Sequence, residues 1–234
     1  MIITFASSKG GVGKSTTCVA LAGAYAKAGL RVHIVDLDNN RTVSRWLADD
    51  TLRPPNLTVS IPDPAILTEH LQEIARLYKP DMTLIDVAGT YERALTVAMA
   101  RAHLTIIPAC TTEADIFEAA RVARHIQSVF AAFGQKPLYR LLPTRVQPLV
   151  SHAQQHAFRE IMRLKLPMLN TVIVHRAAYE EIGLSGLPPH YSDAKRPTTA
   201  KAIAELDMLV AEITALLADA QTEGQPQPTR AGAA

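Results

Sequence analysis

Several features that announce large classes of protein are scarce in this 234-residue sequence. There are two cysteines, Cys18 and Cys110, too few for a disulfide framework and without the spacing of a metal site. A reducing cytoplasm is the expectation that follows. No apolar run approaches the roughly 18 residues that a transmembrane helix needs. The opening MIITFASSKGG lacks a basic stretch followed by an apolar one and a small-residue cleavage site, so it does not look like a secretion signal. Net charge is small as well, +2, so contact with nucleic acid would have to come from a local patch. What remains is a chain that is 48% hydrophobic, ample for one buried core.

The order of its segments is more informative. Residues 2–7, IITFAS, form a short apolar run that stops at a glycine loop, as a buried strand does. After the loop, Val19, Ala22 and Ala26 keep helical spacing up to Gly29, which is placed to close a helix. RVHIVD (31–36) is a second strand-like run. A strand, loop, helix and strand in that order imply parallel pairing through a crossover helix.

The alternation continues, with strands expected at 57–61, 82–87, 104–109, 138–142 and 171–175. Helices are expected at 65–78, 91–101, 113–133, 151–164 and 198–219, the first with Leu67, Leu71, Ile74 and Leu77 along one side. The expected fold is α/β, a doubly wound, mostly parallel sheet flanked by helices. Residues 1–219 form one domain in this reading, and the Pro-, Gly- and Gln-rich stretch 220–234 is an expected disordered tail.

The loop itself, ASSKGGVGKST (6–16), departs from the usual phosphate-binding pattern G-x-x-x-x-G-K-[ST], because Ser8 stands where the first glycine belongs. Gly10, Gly11, Val12 and Gly13 let the backbone turn and aim N–H groups at phosphate oxygens, with a helix N-terminus behind them. Lys14 is placed to reach the β- and γ-phosphates, Ser15 to offer its hydroxyl to Mg²⁺, and Thr16 to follow in the same turn. A dinucleotide fingerprint fits less well, since Gly11-x-Gly13-x-x ends on Thr16 and leaves Gly-Lys-Ser unexplained. Asp86 ends the run MTLID, so its carboxylate belongs at the carboxyl edge of the sheet, where it can serve Mg²⁺ opposite Ser15. Asp36 and Asp38 leave another strand at this edge. Either could orient the attacking water, and either could simply cap the next helix.

Four stretches, KGGVGKST (9–16), VDLDNN (35–40), DMTLIDVAG (81–89) and HRAAYEE with its following glycine (175–183), together resemble the ParA/MinD family of deviant Walker ATPases. The likeness runs from residue 1 to about 217. It is strongest toward ParF-like members and small conjugation-associated relatives, which share an NRxxxRW-type stretch such as Asn40 to Trp46. The resemblance implies ATP and Mg²⁺ as cofactors, Asp86 at the metal, and Asp38 in hydrolysis and near the metal. It also gives the second lysine a task. Lys9 would cross a dimer interface to the partner's ATP, while Lys14 serves its own. Asn39 and Asn40 replace the Pro-Gln of many relatives, and Val87-Ala88-Gly89 replaces Thr-Pro-Pro. Asp115 matches a family position after the fifth strand and reads first as a helix N-terminal acid and second as a nucleotide-site residue.

The family divides over what the dimer binds. Residues 198–219 carry Glu205, Asp207, Glu212 and Asp219 against Lys201, which argues against a membrane-surface helix. Candidate contacts to non-specific double-stranded DNA are Arg159, Arg163 and Lys165, and the group Lys195, Arg196 and Lys201. No aromatics are interleaved among them for base stacking, so phosphate contacts would dominate. The expected function is partition or positioning of a plasmid or other mobile DNA by a slow, partner-stimulated, nucleoid-associated ATPase. It would work with a ParB-like centromere-binding protein or cargo adaptor. The alternative is a nucleotide-gated scaffold in conjugative DNA transfer.

Overall fold

The computed structural model describes residues 1–87, 92–132 and 134–223. The proposed tail beyond Glu223, and Ala88 and Gly89 of the DVAG stretch, lie outside the described residues. In chain order the elements are β1 (Ile2–Phe5), α1 (Lys14–Lys27), β2 (Val32–Leu37), α2 (Thr42–Trp46), β3 (Leu57–Ser60), α3 (Leu67–Leu77), β4 (Met82–Val87), α4 (Glu92–Arg101) and β5 (Leu104–Cys110). There follow α5 (Glu113–Ala131), β6 (Tyr139–Thr144), α6 (His152–Arg163), α7 (Ala177–Glu180), α8 (Ile182–Ser185) and α9 (Pro197–Glu223).

The strands form one six-stranded sheet in the order β3-β2-β4-β1-β5-β6, every pairing parallel. Because successive strand side chains point to opposite faces, neighbours separate into two cores. Ile34, Leu84 and Ile106 join the cluster containing α1 and α9 residues, whereas Val35, Ile85 and Ile107 join the one under α3 to α6. The runs of fully buried residues in β2 and β4 are what helices on both sides require.

Helix α1 carries the phosphate loop's rear wall, and two glycines shape it. A Cβ on Gly23 would lie 2.3 Å from the Pro188 ring, so α1 packs directly on the segment before α9. Gly29, at φ 88°, ends the helix, with Leu30 N–H donating to the Tyr25 carbonyl at 3.1 Å.

Three sequence expectations need correction. Residues 171–175 do not make a seventh strand. They run beside the end of β6 and Val146 just past it, through one bridge, Val146 to Val174, and the bonds Ile173 N–H to Pro143 O, Val146 N–H to Ile173 O and His175 N–H to Val146 O. An irregular run beside β6 satisfies its backbone, since Pro143 interrupts the donors that a full ladder needs. Leu77 is 55% exposed, because α3 ends there, past the edge of the core reached by Leu67, Leu71 and Ile74. The final helix runs to Glu223, four residues beyond its expected end at 219.

One buried histidine gives the fold a pH signature. His33 on β2 is 2% exposed, with Nδ1 against Thr58 Oγ1 at 2.7 Å and Nε2 against Ser60 Oγ at 2.8 Å. Burial, aided by nearby His70, lowers its pKa from 6.5 to about 4. As pH falls below 6.5 the unfolded chain takes up a proton that the folded chain refuses until about pH 4, so stability drops across that window. The expected loss from this one group is about 2 kcal/mol at pH 5. Urea midpoints at pH 7 and pH 5 for the wild type and His33→Gln check it, the variant showing the smaller decline.

Candidate functional site

The strand register brings the site together. Phe5 on β1 pairs with Asp86 on β4, and Asp36 on β2 pairs with the same Asp86. The glycine loop therefore leaves the sheet beside two carboxylates at its carboxyl edge, where ligands of such sheets bind. Gly11 at φ 78° and Gly13 at φ 87° hold left-handed conformations that side chains disfavour. Thr144 Oγ1, at the end of β6, donates to the Val12 carbonyl at 2.8 Å and anchors the loop from across the sheet.

Loop, strands and the C-terminal segment enclose a cavity of about 570 Å³. Gly10, Gly11, Gly13, Lys14, Ser15 and Thr16 line one side, with Asp38, Asn40 and Trp46 beside them. Thr144, Arg145, residues 173–176, Tyr179 and Glu180 form the opposite wall. Lys14 is buried, 8% exposed.

Asp86 has a distinctive environment. Its side chain is fully buried, Ser15 Oγ donates to Oδ2 at 2.6 Å, and Oδ1 has no hydrogen-bond partner among the described residues. Burial raises its pKa to about 7, against the opposing effects of Ser15 and Lys14. A buried carboxylate oxygen without a partner, next to a serine hydroxyl, fits a divalent cation. Ser15 and Asp86 would hold Mg²⁺, which would offset phosphate charge there.

The two acids at this edge differ in their surroundings. Asp36 is fully buried and spent on structure. Its Oδ2 accepts from both the backbone N–H and the hydroxyl of Ser44 at 2.8 Å, and its Oδ1 from the Asp38 N–H at 3.1 Å. Asp38 is partly exposed, lines the cavity, and uses Oδ1 only to accept from Asn40 N–H at 2.9 Å. Of the two, Asp38 is the one that lines the cavity, with fewer side-chain hydrogen bonds among the described residues.

Lys9 lies apart from the cavity wall, which begins at Gly10. Its Nζ donates to Asp115 Oδ1 at 2.5 Å, a hydrogen bond that raises the ammonium's pKa. Asp115 in turn accepts from Thr112 Oγ1 at 2.6 Å, in the first turn of α5. Ser8, the residue that replaces glycine, donates to Glu118 Oε2 at 2.8 Å, one helical turn further along α5. Asp115 is both a helix N-terminal acid and the resting partner of Lys9.

The remaining candidates are placed as follows. Arg163 is paired with Glu160 at 2.7 Å and Arg196 with Glu181 at 2.6 Å. Arg159, Lys165, Lys195 and Lys201 are exposed. Arg145, a basic residue before the exposed stretch 147–150, belongs to the cavity wall. Arg176 also lines the cavity and is held back by an ion pair with Glu205, which accepts from Tyr179 as well. The wall formed by 144–145 and 173–174 escaped the motif reading, and the HRAAYEE stretch was its only local signal.

A parallel sheet with a glycine loop, a Lys-Ser pair and a strand-end aspartate defines a phosphate-loop nucleotide-binding protein of the MinD/ParA fold. The chain belongs to the CobQ/CobB/MinD/ParA nucleotide binding domain family, which it matches over residues 3–189. It is 26% identical to protein ParA of Rhizobium radiobacter over 222 residues, 94% of this chain and 98% of that one. It is 34% identical to protein virC1 of Rhizobium radiobacter over 128 residues, 53% of this chain and 55% of the relative. Among solved structures, apo McdA of Cyanthece superposes with a TM-score of 0.73 at 16% identity, covering 89% of this chain and 98% of that one. The chain is a ParA/MinD-like ATPase related to partition and positioning proteins. Among the described residues, no helix is long and apolar enough to cross a membrane.

Proposed function

We propose that this chain is a Mg²⁺-dependent ATPase that pairs with a second copy when ATP is bound, coats DNA without sequence preference, and lets go after hydrolysis. The observation that carries this reading is the division of labour between two lysines of one loop. Lys14 lines its own cavity, whereas Lys9 stands outside it on the same exposed edge. A cation placed there completes a nucleotide site on a facing copy, so ATP binds the pair better than the single chain and acts as reversible glue. Ser15 and Asp86 hold the metal, and Asp38 orients the attacking water.

Exposed Arg159, Lys165, Lys195 and Lys201 supply DNA phosphate contacts, joined by Arg163 and Arg196 when these leave their carboxylates. Pairing doubles such a patch, which makes DNA binding follow the nucleotide. The cargo is a plasmid or other mobile DNA, and a ParB-like centromere-binding protein or adaptor stimulates hydrolysis on the nucleoid. Titrating a fluorescent duplex with ATP or ADP at several salt concentrations tests this. ATP is expected to strengthen binding, with log K falling linearly in log salt. Equal, weak binding with both nucleotides would contradict it.

A second reading draws support from the ion pairs that hold Arg163 and Arg196 within their own chain. In that reading the nucleotide gates a scaffold that recruits conjugative-transfer components, and turnover is minor. The two are distinguished by whether DNA plus a partner protein raises the ATPase rate.

A further inference from the structure

Helix α2 joins two walls of the cavity through one side chain. Asp38 begins the turn that leads into it, with Arg41 N–H donating to the Asp38 carbonyl at 2.8 Å. Arg41 itself holds a left-handed conformation, φ 48°, at the helix N-terminus. That conformation is costly for a residue with a Cβ and persists only where the surroundings hold it. At its front α2 is tied to β2 by the Ser44–Asp36 bonds. At its rear the contact is with α8.

That rear contact is unusually close. A Cβ on Gly183 would lie 3.2 Å from Trp46 Cε2 and Nε1, so the indole ring rests on bare glycine backbone. At Gly186, φ 70°, a Cβ would come within 2.5 Å of the Trp46 carbonyl oxygen. Trp46 is partly buried against the core and also lines the cavity. The far side is firmly held, since Glu205 on α9 binds both Arg176 and Tyr179 next to α8.

We propose that Trp46 is a positioning residue, whose indole, by resting on Gly183 where its own carbonyl abuts Gly186, fixes α2 against α8 and so sets where Asp38 stands over the phosphate loop. The proposal rests on the reading of the site as an ATPase with Asp38 acting on water. The physical cause is leverage. Asp38 is held by its N–H on Asp36, itself bonded to Ser44 of α2, and by the short turn through left-handed Arg41, so a displaced α2 moves its carboxylate. A catalytic group misplaced by about 1 Å can cost up to about 100-fold in rate. Nucleotide affinity, which depends on the loop, Lys14 and Ser15, should change little.

The experiment uses the full chain with Mg-ATP and compares wild type, Trp46→Phe, Trp46→Ala and Gly183→Ala. Trp46→Ala is expected to lower kcat about tenfold or more while KM and the nucleotide Kd stay within about threefold. Trp46→Phe, which keeps a ring on Gly183, should recover most of the rate. Gly183→Ala, which pushes the indole away, should reproduce the defect from the opposite side. A second readout is independent of turnover. Trp46 is the only tryptophan, so its fluorescence in the wild type should change on adding Mg-ATP and not in the presence of denaturant. Unchanged kcat in Trp46→Ala, or a parallel loss of binding and rate in all three variants, overturns the proposal. No turnover in the wild type, with a clear fluorescence response, defeats the ATPase reading instead.

Discussion

Lys14→Ala is expected to raise the dissociation constant for ATP by about 100-fold or more, measured by calorimetry or with a fluorescent nucleotide. Lys14 is 8% exposed and its charge acts on Asp86, so it is a cation already withdrawn from water and aimed into the cavity. Its desolvation is settled when the chain folds, and the incoming phosphates meet a charge that has little water to lose. Alanine removes that charge and leaves the glycine loop with backbone N–H groups alone. The fold should survive, because an unopposed Asp86 can take up a proton. Its pKa of about 7 would rise further without the lysine. Circular dichroism of the variant separates lost binding from lost structure. Lys14→Arg should not rescue it, since a broad planar guanidinium does not present its charge to phosphate as a compact ammonium does.

Lys9→Ala should behave in the opposite way. Nucleotide affinity of the single chain is expected to stay within about threefold, while ATP-dependent pairing weakens about 100-fold. The geometry explains the contrast. Lys9 spends its charge on Asp115 at 2.5 Å, outside the cavity that Lys14 lines. Asp115 can release it without being stranded, for Thr112 Oγ1 still donates to its other oxygen and the first turn of α5 favours an anion there. The lysine is therefore free to exchange one anionic partner for another. A facing copy's phosphates offer the greater charge. Analytical ultracentrifugation with ATP, beside calorimetry on the same variant, measures both halves of this expectation.

The parts of the site legible in the sequence are those carried by adjacent residues. The loop from Gly10 to Thr16 is read from its own spacing, because a phosphate cradle is built from consecutive backbone groups. Asp86 could be placed because an apolar run ending in an acid puts that acid at a sheet edge, and the pairing of Phe5 with Asp86 is the register that this needs. Only the family resemblance favoured Asp38 over Asp36, and it gave no physical reason for the difference. What distinguishes them is Ser44, whose backbone and hydroxyl claim Asp36 only after α2 has folded back over β2.

The opposite wall was illegible for a related reason. Thr144, Arg145, Ile173 and Val174 belong to segments about 30 residues apart that meet only because the irregular run after α6 returns along β6. Its apolar alternation resembles a strand, and what tells against one is Pro143, a residue of the neighbouring segment and not of the run itself. Trp46 is partly buried against Gly183 and Gly186, far along the chain, a contact that no local spacing announces. Pairing across charges was equally hidden. Arg163 and Arg196 were counted as free cations until Glu160 and Glu181 were seen to hold them.

The central claim is that this loop is half of a site completed by a second copy. The most direct test is the molar mass of the wild-type chain by light scattering, at one protein concentration, without nucleotide, with Mg-ADP and with Mg-ATP. The account predicts a single chain in the first two conditions and a doubled mass with ATP. A mass that stays at one chain with saturating Mg-ATP, with nucleotide binding verified in the same sample, would contradict it.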